Sequence, residues 1–567
     1  MKSKRLSVRR SMAEQGLPLG LVSGAGWRSA MLRWLIALVL GALSVAGLSP
    51  LALWPVFFVT LTGLVLLLDA AAGTARVGDA RSWPLRCRAA AAVGWWFGFG
   101  YFLAGLYWIG LAFLVEAEKF AWLMPFAVTV LPAGLALFFA LGAAAARLAW
   151  TPGLGRVLAL AAALGVTEWL RGNVLTGFPW NALGYALTGN DYIMQVASLV
   201  GVTGLSFLAV LVFALPAAAL GQDGLWCQLR VTVGAIGASV ILLGAFHAFG
   251  AWRLSSDEPA PQGSGRLRLV QPNIPQAEKW VGDNRQRIFE TYLDLSRRDP
   301  HGQMSGFNGV THVVWPESSL PFLMLQTPSA LRAIGDLLPD DVVLITGSLR
   351  AKTAADGSLV ETDGLYTIYN DIAVLDGTGR PVATFDKMHL VPFGEYLPAQ
   401  QALESIGLEQ LTRLKGGFAA GIGPRALTVP GLPPVIPLVC YEAIFPEEIR
   451  PTADESWLLN LTNDAWFGMS SGPYQHLQQA RLRAVEQGLP VVRVANTGIS
   501  AVISARGRVL ERLPLGAAGV IESALPGRLP TTIYGRVGDL GLLTLCLCAI
   551  AGMRRALIRD RQVTRTR

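Results

Sequence analysis

The sequence predicts an α-helical membrane domain of about eight transmembrane helices joined to an exported α/β domain. The chain has 567 residues, of which 52% are hydrophobic and 15% charged, and its mean hydropathy is +0.44. Soluble domains carry about 25% charged residues. Apolar runs of about 20 residues, the length that crosses a bilayer, fill much of residues 29–252. Short β-rich runs alternate with helical runs after residue 265, which is typical of an α/β fold.

The positive net charge of the chain belongs to its predicted membrane part. The whole chain has a formal net charge of +8. Residues 251–530 hold 24 basic and 29 acidic residues, a balance of −5, and the remainder holds 23 basic and 10 acidic residues, a balance of +13. Basic residues beside apolar spans orient them in the membrane. The charge therefore predicts orientation and gives no support to a nucleic-acid partner.

The apolar runs divide the chain into a basic N-terminal segment (1–28), a membrane domain (29–252), an eighth span (535–553) and a basic tail (554–567). Each run is about long enough for one crossing. The seven runs of the membrane domain are 29–48, 50–70, 89–115, 121–146, 155–170, 193–219 and 231–250.

Loop charges predict the topology. With an inner N-terminus, the outer loops carry only Lys119 and Arg171. The predicted inner segments carry Arg76, Arg81, Arg86, Arg88, Arg147, Arg156, Arg230, Arg554, Arg555, Arg559, Arg561, Arg565 and Arg567. This distribution follows the positive-inside rule. We therefore expect a multi-pass protein of a bacterial inner membrane, with both termini in the cytoplasm and residues 265–527 in the periplasm.

Polar and aromatic residues interrupt the predicted spans at one end of the fifth run. Glu168 and Arg171 have the i,i+3 spacing of a helical ion pair, although they could also mark the membrane interface. The loop 177–181 is aromatic, which suits either an interfacial belt or contact with lipid.

Residues 265–527 follow a Ser/Pro/Gly-rich linker (254–264) and are predicted to form an α/β sandwich. The turn 376–380 is predicted to join two strands as a hairpin. Helices are expected at 283–297, 328–338 and 474–486, and another is expected to begin at Pro446. Strands are expected at 267–270, 312–314, 342–346, 371–375, 382–385, 435–439, 457–461, 491–495 and 501–504.

Cys440 is the candidate nucleophile. It ends the apolar run Val435–Val439, and a strand that stops on a nucleophile presents it beside backbone N–H groups that can bind an oxyanion. A lone cysteine is more often a small buried residue. However, none of the other four cysteines lies in the predicted exported domain, so Cys440 has no intramolecular disulfide partner there. That isolation favours a chemical role.

Glu317 and Lys387 are the candidate partners of Cys440. Each follows a predicted strand, so both side chains can converge with the thiol at one edge of a sheet. A thiol has an ordinary pKa of about 8.5 and needs a base at neutral pH. Taken singly, each residue could be a solvated surface charge. No Cys–His dyad and no metal-ligand spacing stands out in the sequence, so we expect a site without metal or cofactor.

In these contexts Glu317, Lys387 and Cys440 resemble the Glu–Lys–Cys triad of the nitrilase, or carbon–nitrogen hydrolase, superfamily. Together with eight predicted spans, they resemble its membrane-bound branch, the apolipoprotein N-acyltransferases. The resemblance covers nearly the whole chain apart from the basic N-terminal segment. Further motifs that carry it are 271–276 with Lys279 and Trp280, 315–317, Tyr369 with Asn370, 387–396, 440–442, 463–468, Gly472 with Pro473, Gln475 with His476, and Arg493 with 496–498.

The resemblance implies a ping-pong acyl transfer. A fatty acyl chain, expected from sn-1 of phosphatidylethanolamine, would pass to Cys440 as a thioester and then to the N-terminal α-amine of a diacylated apolipoprotein. Glu317 would be the general base and Lys387 would stabilise the oxyanion. Glu395 would support Lys387. The implied partners are the phospholipid donor, the apolipoprotein acceptor and membrane lipids.

The resemblance also suggests residues around this triad. Tyr441 and Glu442 flank the nucleophile and are expected to shape the acyl pocket, whereas Trp280, Tyr369 and Asn370 are expected to bind substrate. The apolar segment 321–325 and the segment 397–418 are interpreted as lids that dip into the outer leaflet, with plain packing in the domain as the alternative.

Two other functions compete with acyl transfer. A membrane-anchored nitrilase-type amidase would use the same triad to hydrolyse a small amide, but eight spans exceed what an anchor needs. A transporter or lipid-binding protein with a silent domain is the other alternative. The predicted spans carry few central charges, which opposes a transport path. The triad is intact, which opposes a silent domain.

Overall fold

The computed structural model describes residues 26–72, 82–219, 225–354, 358–362, 365–405, 407, 410–412, 414–423, 425–452 and 454–565. Most of the predicted basic segment 1–28 lies outside these residues, as do Arg76, Arg81 and Arg567.

The described residues contain eight long helices at the positions of the eight predicted runs. Those of the first part are α1 (Trp27–Ser44), α2 (Val56–Ala72), α3 (Ser82–Gly105), α4 (Met124–Ala146), α5 (Leu154–Asn173), α6 (Ala197–Ala214) and α7 (Leu225–Leu254). Short helical segments between them are Val45–Gly47, Ile109–Ala112, Ala117–Phe120, Ala121–Leu123, Arg147–Ala149, Leu183–Leu187, Asp191–Met194 and Leu215–Ala219. The last long helix, Leu540–Arg565, follows the α/β domain.

Among the described helices, four segments are long and apolar enough to cross a membrane: Trp27–Gly47, Ala117–Ala149, Ala197–Ala219 and Gln228–Leu254. These segments fit the predicted membrane domain. The backbones of α1 and α3 pack closely at Gly41, where an added Cβ would lie only 1.9 Å from the carbonyl oxygen of Phe97. Small residues allow such contacts where water does not drive helix association.

The predicted ion pair at the end of α5 is confirmed. Arg171 Nη2 lies 3.0 Å from Glu168 Oε1, and both side chains are buried. Glu168 Oε2 accepts the backbone N–H of Leu183 at 2.9 Å, and Arg171 Nη1 donates to the carbonyl oxygen of Trp180 at 2.8 Å. The pair therefore holds the aromatic loop 177–181 against the end of α5.

Residues after 265 form the predicted α/β sandwich. One sheet has the order β13-β1-β2-β3-β6-β7 and the facing sheet has the order β12-β11-β10-β9-β8. The strands are β1 (Arg266–Gln271), β2 (His312–Trp315), β3 (Val343–Ala351), β4 (Glu361–Thr362), β5 (Leu365–Tyr366), β6 (Ile368–Leu375), β7 (Pro381–Asp386), β8 (Val435–Val439), β9 (Trp457–Thr462), β10 (Val491–Ala495), β11 (Ala501–Ile503), β12 (Val509–Arg512) and β13 (Gly519–Ala524).

Apolar residues of both sheets form the central core, and helices cover the outer faces. The helices of this domain are α8 (Arg285–Ser296), α9 (Pro328–Leu337), α10 (Gln400–Ser405) and α11 (Gly472–Gln487), and α10 has no buried residue. Shorter segments are Gln276–Lys279, Gly282–Asn284, Met324–Gln326, Cys440–Ile444, Pro446–Glu448, Asp464–Phe467 and Ile533–Val537. The two sheets with their covering helices bring the ends of β2, β7 and β8 towards one site.

Three sequence expectations differ from the fold. The helix expected to begin at Pro446 is only the short 3₁₀ turn Pro446–Glu448. The segment 321–325 is wrong as an exposed lid, because Met324 is fully buried and its neighbours pack into the core under α9. Strands β4, β5, β12 and β13 were not expected; β13 gains its place by antiparallel pairing with β1.

Candidate active site

Cys440 lies on a strained turn at the end of β8. Its φ angle is +52°, in the left-handed region that non-glycine residues rarely adopt. A 3₁₀ turn, Cys440–Ile444, begins at this residue. The thiol is free and the residue is only 7% exposed. The chain therefore changes direction at Cys440, directly after β8, as the sequence predicts for a nucleophile that ends a strand.

Near Cys440, three charged side chains and one amide form what we call the ammonium–carboxylate network: Glu317, Lys387, Glu395 and Asn370. Lys387 Nζ lies 2.9 Å from each carboxylate oxygen of Glu395 and 3.6 Å from Glu317 Oε1. The amide of Asn370 donates to Glu317 Oε1 at 2.8 Å and to Glu395 Oε1 at 3.0 Å. The network therefore holds one buried cation between two carboxylates.

This network determines the resting protonation of the thiol and the amine. Burial and the negative charge of Glu317 raise the pKa of Cys440 above its ordinary value, and Lys387 offsets only part of that rise. Burial opposes the charged form of Lys387, but the carboxylates of Glu395 and Glu317 raise its pKa. At neutral pH the site therefore holds a thiol and an ammonium ion, so a base must remove the thiol proton.

Glu442 fastens the turn that carries Cys440 to the segment that carries Lys387. Its Oε2 accepts the backbone N–H of Val439 at 2.7 Å, and its Oε1 accepts those of Met388 and His389 at 2.9 and 3.0 Å. Arg425 Nη1 lies 3.0 Å from the same Oε1. With both oxygens engaged in this way, Glu442 positions the nucleophile and the lysine relative to each other.

A second group of side chains, which we call the Arg493 network, holds Cys440 from β9, the turn after it, β10 and the first turn of α11. Its members are Asn460, Thr462, Asp464, His476 and Arg493, and all five are 0% exposed. Arg493 Nη2 donates to Asp464 Oδ2 at 2.6 Å, and His476 Nδ1 lies 2.9 Å from Asp464 Oδ1. His476 Nε2 donates to the carbonyl oxygen of Cys440 at 3.1 Å. Thr462 Oγ1 lies 3.2 Å from Cys440 Sγ.

The Arg493 network keeps Asp464 ionised. Burial favours the neutral acid of Asp464, but Arg493 and His476 together lower its pKa to about 2. Burial and the charge of Arg493 lower the pKa of His476. Asp464 is therefore a carboxylate at pH 7, and the ring of His476 lies between this carboxylate and the carbonyl oxygen of Cys440.

Asn370, one of the expected substrate-binding residues, donates both amide hydrogens to Glu317 and Glu395, so the structure places it as a support of these carboxylates. Its role in binding substrate stays a prediction. Trp280 is 40% exposed, and the ring of Tyr369 faces the Arg350 guanidinium at 4.7 Å. A role for Trp280 and Tyr369 in binding substrate stays a prediction.

Lys279, beside Trp280, is a further buried cation at the site. Its Nζ donates to the carbonyl oxygen of Glu317 at 3.4 Å, and the residue is 0% exposed. Burial lowers the pKa of Lys279 to about 8, against the opposing effect of Glu317. In the described residues, no group of three His, Cys, Asp or Glu side chains is arranged to hold a metal ion.

The nucleophile contacts the helical domain through Tyr441. The Tyr441 hydroxyl donates to the carbonyl oxygen of Gly177 at 3.4 Å, and its ring lies 6.4 Å from that of Phe178. Trp180 Nε1 donates to Gln475 Oε1 at 2.8 Å, and its ring lies 5.4 Å from that of His476. The loop 177–181 is therefore an interdomain contact beside the site. The expectation that Tyr441 shapes an acyl pocket stays a prediction.

Comparison with known proteins agrees with this two-domain arrangement. Residues 40–215 match the model of the apolipoprotein N-acyltransferase N-terminal domain, and residues 266–533 match the carbon-nitrogen hydrolase model. A protein of Rhodopseudomonas palustris named apolipoprotein N-acyltransferase is 47% identical over 526 residues, which are 92% of this chain and 94% of that protein. The chain belongs to the apolipoprotein N-acyltransferase family.

Other members of the apolipoprotein N-acyltransferase family match over similar lengths. The protein of Bradyrhizobium diazoefficiens is 47% identical over 94% of this chain and 96% of its own. That of Brucella suis is 44% identical over 88% of this chain and 90% of its own. Part of the chain also aligns with an amidase from Nesterenkonia sp. at 20% identity, over 48% of this chain and 94% of the amidase, with a TM-score of 0.31. The family expected from the sequence is confirmed.

Sequence analysis missed the contribution of the Arg493 network. Asp464, His476 and Arg493 were noticed only as parts of motifs, and Thr462 was not noticed. A signal was present: Thr462 and Arg493 are polar residues in apolar strands, β9 and β10, next to the strand of the nucleophile. A polar side chain in such a buried strand must find a hydrogen-bond partner.

Proposed function

We propose that this protein transfers a fatty acyl chain from a phospholipid to the N-terminal α-amine of a diacylated apolipoprotein, through a thioester on Cys440. The donor chain is the sn-1 chain of phosphatidylethanolamine. The observation that carries the proposal is the juxtaposition, in a family member, of a protonated thiol with a buried carboxylate and ammonium. These are the groups that acyl transfer requires.

In the first half-reaction Glu317 takes the proton of Cys440 while the sulfur attacks the ester carbonyl of the phospholipid. The ammonium of Lys387 and the backbone N–H groups of the 440–444 turn stabilise the resulting oxyanion. The tetrahedral intermediate breaks at the C–O bond. Glu317 returns its proton to the departing lysophospholipid oxygen, which leaves an acyl thioester on Cys440.

In the second half-reaction the neutral α-amine of the apolipoprotein attacks the thioester carbonyl. Glu317 accepts a proton from the attacking nitrogen, and Lys387 again stabilises the oxyanion. The C–S bond breaks, an amide forms, and the proton on Glu317 returns to the sulfur. Glu395 and Asn370 keep Lys387 and Glu317 in position through both halves, which their contacts of 2.9 and 2.8 Å support.

The contact between the site and the helical domain favours lipid substrates over a soluble amide. Tyr441, next to the nucleophile, contacts the loop 177–181, and four described segments are apolar enough to cross a membrane. A site beside the bilayer receives both lipids at high local concentration. The competing amidase would gain nothing from this arrangement.

The proposed organisation is a cytoplasmic segment (1–28), seven transmembrane helices (29–252), a periplasmic catalytic domain (265–527), an eighth helix (535–553) and a cytoplasmic tail (554–567). The basic residues of the predicted inner loops support this orientation in a bacterial inner membrane. Helices at all eight positions are compatible with eight crossings.

Product analysis with position-labelled lipid tests the function. Purified protein receives a diacylglyceryl-cysteine peptide and phosphatidylethanolamine labelled with deuterium in either the sn-1 or the sn-2 chain. We expect the sn-1 label in an N-acylated peptide, an equal amount of lysophospholipid, and neither product with Cys440→Ala.

Two results would oppose the proposal. If the sn-1 label is released as free fatty acid while the peptide stays unacylated, the protein is a hydrolase. If the peptide is acylated equally well by Cys440→Ala, the thioester route is wrong.

A further inference from the structure

Thr462, the last residue of β9, lies between the reacting sulfur and a buried carboxylate. Its Oγ1 is 3.2 Å from Cys440 Sγ and 2.9 Å from Asp464 Oδ1. A hydroxyl has one hydrogen to donate and two lone pairs that accept. It cannot donate to both neighbours at once. The charges of the sulfur and of Asp464 therefore determine which of the two accepts the hydroxyl hydrogen.

The charge of Asp464 decides where the Thr462 proton lies in the resting site. The carboxylate is held ionised by Arg493, whose Nη2 lies 2.6 Å from Oδ2. A hydrogen bond to a charged acceptor is about twice as strong as a neutral one. The hydroxyl therefore donates to Asp464 and offers a lone pair to the thiol, whose S–H completes a chain from Sγ through Oγ1 to Oδ1.

This direction changes when the sulfur becomes anionic. The thiolate has no hydrogen to give and becomes a charged acceptor in competition with Asp464. Asp464 keeps its contacts with Arg493 and His476 if the hydroxyl leaves it. The Thr462 proton can then rotate about the Cβ–Oγ1 bond to the sulfur, with no bond broken and no other group required.

We propose that Thr462 is a catalytic residue, a hydroxyl that accepts a hydrogen bond from the resting Cys440 thiol and donates a hydrogen bond to the sulfur whenever the sulfur is anionic. This inference rests on the proposed acyl transfer, in which the sulfur gains negative charge during attack on the donor and again when it departs from the thioester. In the resting state the same hydroxyl orients the thiol.

Alkylation of the thiol by iodoacetamide tests this role without either lipid substrate. Thr462→Val removes the hydroxyl at nearly constant volume, and Thr462→Ser keeps it. The rate for Cys440 is followed by peptide mass spectrometry between pH 6 and 10, with Cys87, a free and partly exposed cysteine before the predicted span 89–115, as an internal reference. Because the hydroxyl lowers the pKa of the thiol, we expect Thr462→Val to move the profile to higher pH and to slow alkylation about 10-fold at pH 8.

Thr462→Ser is expected to stay within about twofold of the wild type, since one hydrogen bond is retained. A profile unchanged in Thr462→Val would overturn the role of the hydroxyl. Equal slowing in Thr462→Ser would also overturn it, because the loss would then come from packing. Should the valine variant fail to fold, Thr462→Ala gives the same comparison. If the wild type fails to acylate peptide while the alkylation difference persists, only the acyl-transfer proposal falls.

Discussion

Within the described residues, the ammonium–carboxylate network and the Arg493 network hold Cys440 in different ways. The first places Glu317 and Lys387 where their charges act on the thiol, and its carboxylates share one cation. The second contacts the residue directly, through Thr462 at the sulfur and His476 at the carbonyl oxygen. One network changes protonation during the proposed reaction, whereas the other keeps its charges and holds geometry.

This difference explains how a strained residue can remain at the centre of a reactive site. Backbone strain at a functional residue persists only where its surroundings determine the conformation. The buried Arg493–Asp464 pair supplies those surroundings, with hydrogen bonds that extend to His476 and Asn460. Changes in the first network should therefore affect rate, and changes that disturb the turn should affect both rate and stability.

Removing the base should give the largest loss of rate. Glu317→Gln keeps the shape and still accepts from Asn370, but it cannot take the proton of Cys440. We expect acyl transfer to fall by about 10²- to 10⁴-fold, the usual effect of a general base. Release of lysophospholipid in a single turnover measures it. Glu278→Gln, at an exposed residue of the same domain, should leave the rate within about twofold.

Removing the contacts by which Glu442 joins the Cys440 turn to the Lys387 segment should reduce both the rate of acyl transfer and the stability of the protein. Glu442→Gln replaces one acceptor oxygen by an NH₂ group that faces backbone donors. We expect about 2–4 kcal/mol of lost stability, seen as a lower unfolding temperature in detergent, because buried backbone N–H groups lose a charged acceptor.

Glu448→Gln is the matched control for that change. Glu448 also contacts Arg425, at 2.7 Å, but it is partly exposed and its side chain contacts His389 rather than the backbone of β8. A smaller loss in Glu448→Gln assigns the effect to the backbone contacts of Glu442. Equal losses in both variants would contradict the proposed attachment.

The charge of Glu317 also predicts an effect of opposite sign on thiol ionisation. Burial raises the pKa of Cys440 and Glu317 raises it further, so Glu317→Gln should lower that pKa. Alkylation of Cys440 by iodoacetamide should then reach half of its maximal rate at a pH about one unit lower, although acyl transfer is slower. A profile that moves to higher pH would show that the carboxylate does not oppose thiolate formation.

The smallest expected effect concerns the interdomain contact. Trp180→Phe keeps the aromatic packing near His476 but loses the hydrogen bond to Gln475. We expect a loss of about 1 kcal/mol in stability and a decrease of a few-fold in acyl transfer. Trp122→Phe, at a residue that is 60% exposed, is the control. Equal activity in both variants would exclude a contribution of this contact to the site.

The sequence allowed the first network to be predicted more fully than the second. Glu317, Lys387 and Cys440 each follow a strand within a short recognisable motif, so the spacing along the chain locates them. Thr462, His476 and Arg493 meet only because β8, β9 and β10 are parallel neighbours and α11 covers them. Sequence periodicity predicts strands but not their order in a sheet. The packing of 321–325 into the core was missed for another reason: an apolar run has the same sequence pattern whether it packs on a core or on lipid.

Intact mass of the purified protein after incubation with phosphatidylethanolamine alone tests the central claim most directly. The account predicts one added fatty acyl group on the wild type, none on Cys440→Ala, and loss of the adduct when a diacylglyceryl-cysteine peptide is supplied. Acylated peptide formed at the full rate with no adduct at any time, and with Cys440→Ala still active, would contradict a thioester on Cys440.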